Sequence, residues 1–68
     1  MDLVKLAAQL QSLLSQVEKA HGKAEADMEK LEGKQGVTPQ ELEAQTTLVE
    51  RLESVLECLE EALDQLAD

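Results

Sequence analysis

Two ladders of apolar residues run through this 68-residue chain, and a single loop, Gly33-Lys34-Gln35-Gly36-Val37, interrupts them. That one break constrains the fold more than any other feature. Before it, Leu3, Leu10, Val17, Ala24 and Leu31 recur every seven residues, with Ala7, Leu14, His21 and Met28 beside them. After it come Leu42, Gln45, Val49, Leu52, Leu56, Leu59, Leu63 and Leu66. Their spacing alternates between three and four, which is the spacing of a coiled-coil seam. Folded at the loop, the ladders interlock. Leu31 meets Leu42, Met28 meets Gln45, Ala24 meets Val49, His21 meets Leu52 and Val17 meets Leu56, and each pair of residue numbers adds to 73. Leu14 with Leu59, Leu10 with Leu63 and Ala7 with Leu66 continue the series. A constant sum is the condition for antiparallel pairing, and helices joined by so short a loop are expected to be antiparallel neighbours. The expected fold is therefore all-α: one coiled-coil-like antiparallel two-helix hairpin over residues 1–68. Helix 1 is expected at about residues 2–33, the loop at about 33–38 and helix 2 at about 38–67. Each helix then runs about 28 residues, or about 42 Å.

The start of helix 2 is written in its residues. Thr38 is a good N-cap, and Pro39 stands at the first helical position, where its missing N–H costs nothing. Glu41, three residues after Thr38, can reach back to the Thr38 amide and complete a capping box. Val37 can staple onto Leu42. Gly33 is placed to end helix 1 as the residue just past its C-cap. Gly22 lies inside helix 1 at a cost of about 1 kcal/mol relative to alanine. The heptad phase is unchanged across it, so the helix is expected to continue.

The seam does not use every apolar residue. Leu6, Leu13 and Ala20 form a flanking row on helix 1, and Leu48, Val55 and Ala62 form one on helix 2, with Cys58 at its edge. Each row lies about 80–90° from the centre of its own seam. Both are displaced in the same rotational sense, which in an antiparallel pair puts them on one side of the hairpin. These seven residues are the expected partner-binding surface, since an apolar strip left in water marks an interface. The opposite side is acidic: Glu43, Glu50, Glu57 and Asp64 recur every seven residues, with Glu53 and Glu60 next to them. Such a face either is solvated or docks a basic partner.

Charge and composition remove several classes of function. The net charge is −9, from 15 acids against 6 bases. Nucleic acids and anionic membrane surfaces both need clustered Lys and Arg, so neither is expected as a partner. No apolar run approaches the length of a membrane span, so no membrane insertion is expected. Met1-Asp2-Leu3-Val4-Lys5-Leu6 lacks the basic stretch of a secretory signal. No catalytic or cofactor-binding residue is assigned, and the chain is not expected to be an enzyme. Its one histidine, His21, and one cysteine, Cys58, fall on different helices about six residues apart along the hairpin, too far for a nucleophile and its base. A closed zinc site needs more nitrogen and sulfur ligands than these, so no metal is expected. His21 is read as a half-buried seam residue and Cys58 as a small, partly buried hydrophobe. A single cysteine forms no internal disulfide and suits a reducing compartment. There is no Phe, Tyr or Trp, so leucine must supply the core. A core of 68 residues is marginal, and a partner is expected to add burial.

One stretch carries a family likeness. The run Thr38-Pro39-Gln40-Glu41-Leu42, then Val49, Leu52-Glu53, Leu56 and Leu59 resembles the second helix of the E-type co-chaperones of bacterial type III secretion systems. The resemblance covers roughly residues 38–60. It implies a short helical hairpin of the bacterial cytoplasm that pairs with a larger TPR-like chaperone. It further implies that the pair keeps the needle subunit soluble before export, the needle subunit being a direct or indirect second partner. The alternative is a purely structural module, in which two copies form a homodimeric four-helix bundle without chaperone activity.

Overall fold

The structure is a computed structural model that describes residues 2–67. Two helices account for nearly all of it: α1 over Leu3–Glu32 and α2 over Pro39–Leu66. They are 30 and 28 residues long and pack side by side into a rod of 52 × 15 × 14 Å. The hairpin expected from the two ladders is the fold, with helix boundaries within a residue of those the sequence suggests.

The caps show why the helices begin and end where they do. At the start of α2 the Thr38 hydroxyl accepts the Glu41 amide at 3.2 Å, and Pro39 follows in the first turn. That is half of the expected capping box. The return bond, from the Thr38 amide to the Glu41 carboxylate, is not formed among the described residues. Val37 and Leu42 are both half-buried, as a staple requires. At the start of α1 the Asp2 carboxylate accepts the Lys5 amide at 3.2 Å, a cap that the heptad pattern does not reveal. The exit from α1 differs from expectation by one position. Gly33 is itself the C-cap, in right-handed conformation; its amide donates to the Glu29 carbonyl, and the Lys34 amide donates to the Leu31 carbonyl. The left-handed residue that turns the chain is Gly36, at φ +81°. A helix that stops at Glu32 still needs one residue without a Cβ to reverse direction, and Gly36 supplies it directly before Val37.

Three interhelical bonds bracket the register, their residue numbers adding to 74, 74 and 69. His21 meets Glu53, and the Thr46 hydroxyl donates to the Met28 sulfur at 3.7 Å. Both pairs lie one residue from the series that adds to 73. Gln45, the amide in an otherwise apolar ladder, donates from Nε2 to the Ala24 carbonyl at 2.9 Å. A polar seam residue is thereby satisfied without opening the seam. Leu14 and Ala24 are the buried residues of the core, and the rest of both ladders from Ala7 to Leu66 is half-buried. Leu3 departs from this pattern and is 51% exposed. Its facing position in the register lies past Ala67, the last described residue. Gly22 leaves α1 unbroken.

A candidate protein-docking strip

The heptad register sorts the remaining residues by side. His21 touches Glu25 on its own helix and Glu53 on the other, and Met28 touches Thr46, so Glu25, Glu53 and Thr46 share one edge of the seam. Along that edge and just outside it stand Glu18, Glu25, Glu29 and Glu32 of α1 with Glu43, Glu50, Glu53, Glu57, Glu60 and Asp64 of α2. These are ten acids with no base among them. The other edge carries the expected strip. Its charged residues are three acids, Asp2, Asp27 and Glu41, and three bases, Lys23, Lys30 and Arg51. Two-thirds of the chain's acids thus lie on one side, and the apolar strip lies on the other. Halves of the sequence differ in charge, but the sharper division is between the two sides of the folded rod.

The seven residues assigned to the strip are not equally open. Leu13, Leu48 and Val55 are 44%, 47% and 43% exposed, large for apolar side chains on a small protein. Ala20 is exposed as well. Leu6 and Ala62 are half-buried. They form the margin of the strip rather than its open centre. Cys58 is exposed and not partly buried as expected, since its helical position lies one step farther out than Val55 and Ala62. Val4 is the most open large apolar residue, at 81%, but it lies on the acidic edge near the end of α1 and is not continuous with the strip. The sequence reading missed it because it belongs to no repeating row.

Total exposure shows how little the hairpin covers for itself. A compact monomer of this 7.5 kDa mass would expose about 4,200 Å². The hairpin exposes 5337 Å². The excess of roughly 1,100 Å² follows from the rod shape, which gives each helix one neighbour and leaves the strip without cover.

On the acidic edge, His21 joins the two helices. Its Nδ1 lies 3.3 Å from Glu25 Oε1 and its Nε2 lies 3.2 Å from Glu53 Oε1. A neutral imidazole carries one N–H and donates to one of them, whereas an imidazolium donates to both. One atom from each of the three residues lies within 4.8 Å of the others. One nitrogen and two well-exposed carboxylates fall short of a closed four-ligand zinc site, and the group is read as a polar clasp across the seam. Met28, Thr46 and Val49 line a shallow hollow beside it, rimmed by Glu25, Glu29, Glu32 and Glu50. Its acidic rim and open shape offer nothing comparable to the enclosed apolar pockets that hold small molecules. Among the described residues no helix is long and apolar enough to cross a membrane. Comparison with protein-family models, curated proteins and solved structures returns no match.

Proposed function

We propose that this hairpin is a protein-binding adaptor that docks through the strip centred on Leu13, Leu48 and Val55. Ala20 and Cys58 complete its open part, and Leu6 and Ala62 form its margin. The fitting partner is an α-helical surface with an apolar groove, such as the concave face of a TPR-like chaperone, where a helical hairpin lays its apolar side into the groove. With the likeness of Thr38–Leu59 to type III secretion co-chaperones, the proposal takes its specific form. The chain pairs with a TPR-like chaperone in the bacterial cytoplasm and helps hold the needle subunit soluble before export. One observation carries the docking reading: three large apolar side chains stand more than 40% open in a row on the side that is almost free of acids.

The test is binding to a purified TPR-like chaperone by calorimetry. Val55→Asp and Leu48→Asp are expected to weaken binding at least tenfold, and the double charge reversal Glu50→Lys with Glu57→Lys to change it less than threefold. Affinity should vary little between low and high salt, because the docked surface is apolar. The opposite pattern, with loss of binding on charge reversal and none in Val55→Asp, would overturn the proposal in favour of the acidic face.

A further inference from the structure

We infer that, when no partner is bound, a second copy of this chain covers the strip in an antiparallel four-helix dimer with a two-fold axis beside Cys58. This rests on the strip being the docking surface and adds what occupies it. Charge selects the face. A second chain of charge −9 that approached from the other edge would set ten acids against ten, whereas the strip side has three acids balanced by three bases. Pairing strip to strip also leaves both acidic faces pointing outward into solvent.

The register then selects the direction. Each α2 residue lies level with the α1 position given by 73 minus its own number, so Leu48 is level with residue 25, Val55 with 18, Cys58 with 15 and Ala62 with 11. The strip runs from level 6 to level 25, about 29 Å, with its midpoint between 15 and 16. In a parallel dimer α1 lies on α2 of the second copy, and Lys23 falls level with its Arg51, like charge on like charge. An antiparallel dimer removes these bases to opposite ends. With the two-fold axis at the strip's midpoint, α1 lies on α1 and α2 on α2. Leu6 is then level with Leu48 of the second copy, Leu13 with its Val55 and Ala20 with its Ala62. Large residues share levels with large and small with small, as a self-complementary two-fold interface requires. The overlap is about 25 residues or 38 Å long and 15 Å wide. It buries on the order of 1,100 Å² over both copies, above the roughly 1,000 Å² that a specific interface needs. Cys58 falls at level 15 and its twin at level 16, on helices that face each other. No other thiol is present to compete.

Sedimentation equilibrium of the reduced full chain, followed by a thiol scan, tests this. The expected mass is about 15 kDa, twice the 7.5 kDa of one chain. Val55→Asp should return it to that of one chain. Diamide, which takes up the two protons and two electrons that two thiols release, should join Cys58 to Cys58 rapidly. Cysteines moved one heptad either way, Arg51→Cys or Gln65→Cys in a Cys58→Ser background, should cross-link at least tenfold more slowly. In the antiparallel dimer each of these thiols lies about 20 Å from its twin along the axis. A monomer at 100 µM overturns self-pairing and leaves heterologous docking standing. A dimer that survives Val55→Asp overturns the strip reading itself. Equal cross-linking at all three positions overturns the antiparallel geometry.

Discussion

Replacing Gly22 with alanine should stabilise the hairpin. Gly22 is inside α1, exposed, and has no positive φ. A Cβ built on it meets nothing within 4 Å. The substitution therefore removes backbone freedom from the unfolded chain without a steric cost in the folded one, a gain of about 0.5–1 kcal/mol. The unfolding entropy of 68 residues is about 0.14 kcal/mol/K, so Tm should rise by roughly 3–7 °C. In a dimer both the gain and the entropy double, so the shift is the same. The assay is a circular dichroism melt of wild type and variant at equal concentration. Gly36→Ala is the internal control. Its φ of +81° strains any residue with a Cβ, so the same chemical change should destabilise by about 1 kcal/mol. A fall in Tm for Gly22→Ala would refute the reasoning, because it would mean that something packs against Gly22 and that the acidic side is not free.

Two further outcomes follow from single contacts. His21→Leu should leave the urea midpoint unchanged or raise stability by up to about 1 kcal/mol, because leucine suits a seam position facing Leu52. The Glu25 and Glu53 carboxylates, 56% and 53% exposed, would return to water. A loss above about 1 kcal/mol would show that the clasp holds the helices together. Thr38→Ala should cost about 1 kcal/mol and speed hydrogen exchange at the Glu41 amide, which loses its hydroxyl acceptor; unchanged exchange there would show that the cap contributes nothing.

What could be read from the sequence was whatever repeats. The seam has seventeen positions whose spacing over-determines it, so the two helices, their antiparallel packing and the place of the loop between them were legible in the sequence. Single events were not. Asp2 caps α1 without belonging to a pattern, and Gly36 rather than Gly33 makes the turn, because one residue's dihedral angles depend on where the last helical bond closes. Burial at the strip was also only partly legible. Helical angle placed Leu6 with Leu13, yet Leu13 is 44% exposed and Leu6 half-buried, a difference that helical angle does not encode. The clasp was half visible: His21 was assigned to the seam, while its reach to Glu53 depends on side-chain length across the interface, which periodicity does not encode.

The division of the leucine-rich surface into a closed seam and an open strip is the centre of this account, and adjacent residues test it. Val55 is 43% exposed on the strip, and Leu56 is half-buried in the seam opposite Val17. An aspartate at 56 loses about 1.5–3 kcal/mol of apolar burial and sets a carboxylate against the seam, enough to unfold a marginal hairpin. The measurement is far-ultraviolet circular dichroism of Val55→Asp and Leu56→Asp at the same low temperature and concentration. Val55→Asp should keep most of the wild-type helicity and Leu56→Asp should lose most of it. Equal helicity in the two variants would contradict the account.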